Sequence, residues 1–255
     1  MRRQISLLLF LSLLAVDAYA VPIDLGTASA FGLLAGSGIT NSGSSVINGD
    51  VGSSPTPAVT GFPPGVVNGT LYSAANAATT QAQLDLTTAY NTAAAATPTM
   101  TLTGTDLGVY NAANPLGPGV YFFSSSAGLT GNLTLDGGGD PNAQWVFQIG
   151  STLTSATDSS VSFINSGTKC GVYWQVGSSA TIGTNSAFAG NIMALTSIDL
   201  NGGTLNGKAL ARNGAVTISS AETVNAGPCS VPEPSSMAAG MVFIATAAGL
   251  FRRRK

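Results

Sequence analysis

Two eleven-residue stretches of this chain superpose without a gap, and that self-similarity restricts the fold more than any other feature. Phe147-Gln148-Ile149-Gly150-Ser151-Thr152-Leu153-Thr154-Ser155-Ala156-Thr157 lies over Trp174-Gln175-Val176-Gly177-Ser178-Ser179-Ala180-Thr181-Ile182-Gly183-Thr184, an offset of 27 residues. Looser copies follow at Thr196-Ser197-Ile198-Asp199-Leu200 and Gly214-Ala215-Val216-Thr217-Ile218, about 18 residues apart. Unequal repeats of this size, each a few short strands, indicate coils stacked into a solenoid. A β-sandwich also has many short strands, but they do not superpose apolar positions on apolar and Thr on Thr. The fold class expected is mainly β, an irregular right-handed β-helix.

The remaining segments fit that architecture. From Leu25 to Leu71, short apolar pieces such as Phe31-Gly32-Leu33-Leu34, Ser45 to Val51 and Gly65 to Gly69 are separated by Gly, Asn, Ser and Pro, the pattern of short strands and tight turns. Residues 73–96 contain neither Gly nor Pro and place Ala75, Ala78, Ala82, Leu86, Tyr90 and Ala93 at helical spacing. That spacing predicts one helix, ended by Pro98, whose small-residue face suits close packing on a sheet. Strands return at Gly119 to Phe123 and Leu129 to Leu135, followed by the loop Asp136-Gly137-Gly138-Gly139-Asp140-Pro141.

Both ends read as targeting signals. Arg2 and Arg3 precede an apolar run from Ile5 to Val16, and Ala18-Tyr19-Ala20 is a small-x-small cleavage site. Residues 1–20 are therefore expected to be a signal peptide, with Val21 the mature N-terminus. Toward the other end, Val231-Pro232-Glu233-Pro234 precedes an apolar transmembrane segment at about 237–251 and the basic cluster Arg252-Arg253-Arg254-Lys255, which would stay cytoplasmic. This tail, residues 231–255, resembles the PEP-CTERM sorting signal of Gram-negative bacteria that make extracellular polymer. The resemblance implies recognition by an exosortase, with cleavage near Pro232-Glu233-Pro234. The protein is then exported to the cell envelope or beyond it, meeting membrane only through its tail; a plain C-terminal anchor is the simpler alternative.

Residues 21–230 are left as one domain. Its basic residues are Lys169, Lys208 and Arg212 against nine acids, a net charge of −6 that argues against nucleic acid or anionic lipid as a partner. In an oxidising compartment Cys170 and Cys229 are expected to form a disulfide, two free thiols being the alternative.

In order along this domain come Asn48-Gly49-Asp50-Val51-Gly52, Thr60-Gly61-Phe62-Pro63-Pro64-Gly65, Val67-Asn68-Gly69-Thr70, Asp85-Leu86-Thr87-Thr88-Ala89-Tyr90-Asn91, Pro118-Gly119-Val120-Tyr121 and Gly139-Asp140-Pro141-Asn142-Ala143. Together with the two long repeats and Arg212-Asn213-Gly214-Ala215-Val216-Thr217, they resemble the microbial ice-binding proteins. The resemblance covers Pro22 to Cys229. It implies a discontinuous β-solenoid with one α-helix packed alongside its axis, and an ice crystal surface as partner. Most of these motifs are turns and core positions, so they specify fold more than activity.

No histidine occurs in the chain, which removes the commonest general base and every Ser-His or Cys-His nucleophile. The acids are scattered singly through turns, so no acid, base and oxyanion set assembles and no enzyme is expected. Asp136 to Asp140 offers two carboxylates where calcium takes about six to eight oxygens, and two thiols without histidine do not make a zinc site. No cofactor or metal is expected.

The Thr-rich repeats carry the functional expectation. With Leu153 and Ala180 inward, Thr152, Thr154, Ser179 and Thr181 point outward; with Thr184, Ser197 and Thr217 they form the candidate ice-binding face. Adjacent rungs lie about 4.7–4.9 Å apart, so outward side chains make a flat grid. Threonine pairs a methyl with a hydroxyl and is stiff at χ1, which suits holding water at spacings near those in ice. Strand propensity alone also places Thr here. Asp199 stands where Thr154 and Thr181 stand in the earlier copies, and Ala215 replaces an outer Ser or Thr. A charge keeps its own hydration, so either the face is imperfect or it lies elsewhere, near Asn185, Thr204 or Ser219. The expected function is adsorption to ice and restraint of its growth or recrystallisation. The alternative is a structural or adhesive matrix protein on the same scaffold.

Overall fold

The computed structural model describes residues 22–227. The leader, the sorting motif Val231 to Pro234, the apolar tail and Cys229 lie outside the described residues. Among those described, short parallel strands wind into a three-sided β-solenoid with one α-helix, Ala77–Ala95, on its outside.

The first face stacks Gly119–Phe123, Trp145–Ile149, Val172–Val176, 191–194, 208–211, Phe31–Ala35, Asp50–Ser53 and Leu71–Tyr72. A separate 7-stranded sheet makes the second face: Ala127–Leu129, Leu153–Ser155, Ala180–Ile182, Ile198–Leu200, Ala215–Ile218, Gly38–Asn41 and Val59–Thr60. The third runs from Asn132–Asp136 through Ser160–Ile164, 186–189, 203–206, Glu222–Asn225 and Val46–Asn48 to Val66–Val67. Ser186–Ala194 and Gly203–Ala211 each turn the corner between third and first faces, so those two faces share one sheet. The corner is made where Gly190 lies beside Gly207. Gly190 has φ +110°, and a Cβ on Gly207 would sit 1.9 Å from the Gly190 carbonyl oxygen, so only glycine fits there.

The stacking order is not the chain order. Phe31–Ala35 and Gly38–Asn41, near the N-terminus, lie directly on Gly203–Ala211 and Ala215–Ile218. After Leu71–Tyr72 the helix carries the chain back along the first face to the opposite end, where coiling restarts. The repeat offsets are the strand register: Thr154 pairs with Thr181, Thr181 with Asp199, and Asp199 with Thr217.

Three sequence expectations shift. The helix begins at Ala77 rather than near 73, because Asn76 caps it by accepting from the Ala78 backbone N–H at 2.8 Å. Ala75 and Ala78 therefore fall outside the packed face, which comprises Thr79, Ala82, Leu86, Ala89, Tyr90 and Ala93. Ser45 to Val51 is two strands broken at Gly49, and Leu129 to Leu135 is two strands broken at Gly131.

Inside the coils the aromatic residues stack rung on rung: Tyr121 on Phe147 at 5.5 Å, Phe147 on Trp174 at 4.1 Å, and Trp174 on Phe188 at 5.0 Å. Each buried indole N–H donates to a backbone carbonyl, Trp145 to Leu116 and Trp174 to Ala189, which removes the cost of burying it. The helix covers a second apolar layer on the outside of the first face, where Leu86 and Ala93 meet Val120, Val146, Met193 and Leu210. Gly52 permits this approach, since a Cβ there would lie 2.6 Å from Thr79 Cγ2. On the third face Asn206, Asn225, Asn48 and Asn68 form a ladder of amide hydrogen bonds at 2.8–3.0 Å.

Candidate functional site

The helix occupies the first face, and the second presents in-register rows of side chains to solvent. Along it the inward residues Ala127, Leu153, Ala180, Ile198, Val216 and Ile39 are fully buried, so the outward side chains stand on a rigid base. One outward row reads Gly128, Thr154, Thr181, Asp199, Thr217, Thr40 and Thr60, each in register with the next. Beside it runs Ser126, Thr152, Ser179, Ser197, Ala215, Gly38 and Ala58.

The two rows differ in how their hydroxyls are used. Thr152 donates to Ser126 Oγ at 2.8 Å, Ser179 and Thr196 share a hydrogen bond at 2.7 Å, and Ser197 Oγ accepts from the Ala215 N–H at 3.3 Å. In the Thr row, Thr60 leans on the Ile39 carbonyl at 3.4 Å. The hydroxyls of Thr154, Thr181, Thr217 and Thr40, and the Asp199 carboxylate, have no side-chain hydrogen-bond partner among the described residues. These are groups that meet water.

Of the residues expected on the face, Thr152, Thr154, Ser179, Thr181, Ser197 and Thr217 lie together on it. Thr184 does not: it sits in the corner turn after Ala180–Ile182, where its carbonyl accepts from the Asp158 N–H. Asn185 shares that corner with φ +58°, Thr204 belongs to the third face beside Thr223, and Ser219 follows the end of Ala215–Ile218. Thr40 and Thr60 were not anticipated. Their signal is an apolar–Thr pair, Ile39-Thr40 and Val59-Thr60, matching Leu153-Thr154 and Val216-Thr217 but too short to stand out as a repeat.

The acids outside this face are held by structure. Asp136 accepts from the Gly138 N–H and the Asn165 amide, which hold its carboxyl below the usual carboxylate range, and Asp140 accepts from the Asn142 N–H. Asp106 caps the turn at Gly108 and binds both the N–H and hydroxyl of Thr130. An open hollow of about 500 Å³ bordered by Ser29, Ala30, Asn48, Gly49, Asn68, Ala226 and Gly227 has no titratable side chain in its lining. No group of three or more His, Cys, Asp or Glu able to hold a metal occurs among the described residues.

Comparison with known proteins agrees with this geometry. Residues 33–224 match the family described as ice-binding-like. An ice-binding protein of Nostoc sp. (strain HG1) is 50% identical over 252 residues, 93% of this chain and 90% of that one. Among solved structures, an ice-binding protein from an Antarctic biological consortium superposes with a TM-score of 0.74 at 44% identity, covering 80% of this chain and 91% of its own. The ice-binding protein of the Antarctic ascomycete Antarctomyces psychrotrophicus gives 0.71 at 40% identity, covering 80% and 98%. The chain belongs to the ice-binding-like family.

Proposed function

We propose that this protein is exported and adsorbs to ice through its second face, restraining ice growth or recrystallisation without catalysing a reaction. The threonines of the row carry this reading: in-register Thr154, Thr181, Thr217, Thr40 and Thr60 on a buried base, with the hydroxyls of the first four free of side-chain partners. Ice crystals grown in the purified protein should facet. Thr181→Tyr should abolish faceting, because a ring projecting from a flat surface holds ice away. Thr88→Tyr, on the exposed side of the helix, should leave it unchanged. Round, unshaped discs with the parent protein would sink the proposal.

Asp199 in mid-row favours a second reading, an adhesive or structural matrix protein on the same scaffold, which round discs would support. Export rests on the Ala18-Tyr19-Ala20 site and the tail with Pro232-Glu233-Pro234. Exosortase processing in a Gram-negative envelope predicts a chain starting at Val21 and lacking Arg252 to Lys255. Intact-mass measurement finding the full-length chain outside cells would count against it.

A further inference from the structure

Asp199 divides the Thr row into unequal parts. On one side lie Thr181 and Thr154, after which the row ends at Gly128. On the other, Thr217, Thr40 and Thr60 run unbroken across the point where the last coil meets the N-terminal coils. The carboxylate is one rung from both Thr181 and Thr217. Beyond its reach stand Thr154 alone on one side and the pair Thr40 and Thr60 on the other.

The neighbouring row sharpens the contrast. Beside Thr154 and Thr181, the hydroxyls of Thr152 and Ser179 are turned sideways into hydrogen bonds with Ser126 and Thr196. Beside Thr217, Thr40 and Thr60 stand Ala215, Gly38 and Ala58, with no polar side chain. Gly38 has φ +141°, and a Cβ on it would lie 3.1 Å from the Ala58 carbonyl oxygen and 3.3 Å from the Ala58 Cβ, so this strip stays low. Thr217, Thr40 and Thr60 are therefore flanked there by residues that offer water no side-chain hydrogen bond, a surface that gains by giving up its water.

We infer that ice contact is concentrated on the patch of Thr217, Thr40 and Thr60 with Ala215 and Ala58, packed around the buried Gly38, and that Asp199 is its boundary. This rests on the ice-binding reading. The patch joins strands from opposite ends of the described chain, so it exists only in the assembled solenoid.

Substitutions that remove groups, rather than add bulk, separate the two parts. In the full chain, Thr40→Ala with Thr60→Ala should weaken adsorption at least about tenfold, as removing two contacting methyls implies. Thr154→Ala with Thr181→Ala should weaken it by only about fourfold, the worth of the one methyl that stands away from Asp199 on that side. Thr40→Ser, which keeps the hydroxyl and the strand, should also lower adsorption. Asp199→Asn should raise activity and make the Thr154/Thr181 pair costlier to remove. Thermal hysteresis and ice affinity give the readout, with circular dichroism confirming the fold. Equal losses from the two double variants, or full activity in Thr40→Ser, would overturn the patch while leaving ice binding intact. Failure of the parent protein to shape ice would overturn both.

Discussion

At the residue scale, two acids are placed against their chemistry in opposite ways. Asp199 is half exposed in a row of Thr, where it keeps its own water. Asp199→Thr completes the row and should increase thermal hysteresis; an unchanged or lower value would show that the row does not act as one surface. Glu222 points into the corner between second and third faces, is only 3% exposed, and accepts from the Gly202 and Leu205 N–H groups. Burial outweighs those hydrogen bonds and pushes its carboxyl from 4.5 up to about 7. The folded protein then holds this proton more tightly than the unfolded chain does. Stability is fully supported below pH 4.5, falls as pH rises, and levels off above about 7, a loss of order 3 kcal/mol. Urea unfolding across this range should show the decline in the parent protein and a flatter profile in Glu222→Gln.

At the scale of elements, the helix shows how local and tertiary signals divide. Its existence was legible in Ala-rich spacing without Gly or Pro, and Pro98 marked its end. Its start was misplaced because Ser73 to Asn76 is compositionally no different, and the Asn76 cap is what ends the extended segment. Its C-terminal end is fastened from a distant strand. Gln148 Nε2 lies 2.8 Å from the Ala93 carbonyl oxygen, 3.3 Å from that of Ala94 and 2.6 Å from that of Ala96, at a helix end where carbonyls run short of backbone donors. Gln148→Ala should cost about 1–3 kcal/mol in thermal or urea unfolding, the usual penalty for stranding buried acceptors. Gln148→Glu should be worse at neutral pH, where a carboxylate faces those carbonyls, and should recover in acid, where the protonated form donates again. No such recovery would mean that packing, not donation, is Gln148's contribution.

For the whole molecule, the repeats made the solenoid legible because the offsets between copies are the rung spacings of the folded chain. The join between the ends was not legible in the repeats. Gly38–Asn41 and Val59–Thr60 are too short to align, and their place beside Ala215–Ile218 is fixed by stacking across a long separation in sequence. Thr184 was misassigned because a linear pattern does not say where a coil turns its corner. The disulfide expected between Cys170 and Cys229 involves a residue outside those described, Cys229. Further along the same region, Lys208 and Lys169 donate to the carbonyls of Ala226 and Asn225 and hold that strand's exit to the body. Ordinary repeat arrays unzip from their ends because each unit meets only its neighbours. Here the N-terminal coils depend on the last coil, and the helix ties both to the opposite end. We therefore expect one cooperative transition, in which amides of Phe31–Ala35 and Gly38–Asn41 exchange with the same opening free energy as those of Gly203–Ala211 and Ala215–Ile218. Replacing Cys170 with Ser should lower that shared value by about 2–5 kcal/mol without splitting it. Hydrogen exchange read by mass spectrometry checks both expectations. Early exchange confined to residues 31–72 would show that the N-terminal coils open alone, and that the join between the ends is a contact rather than the keystone of the fold.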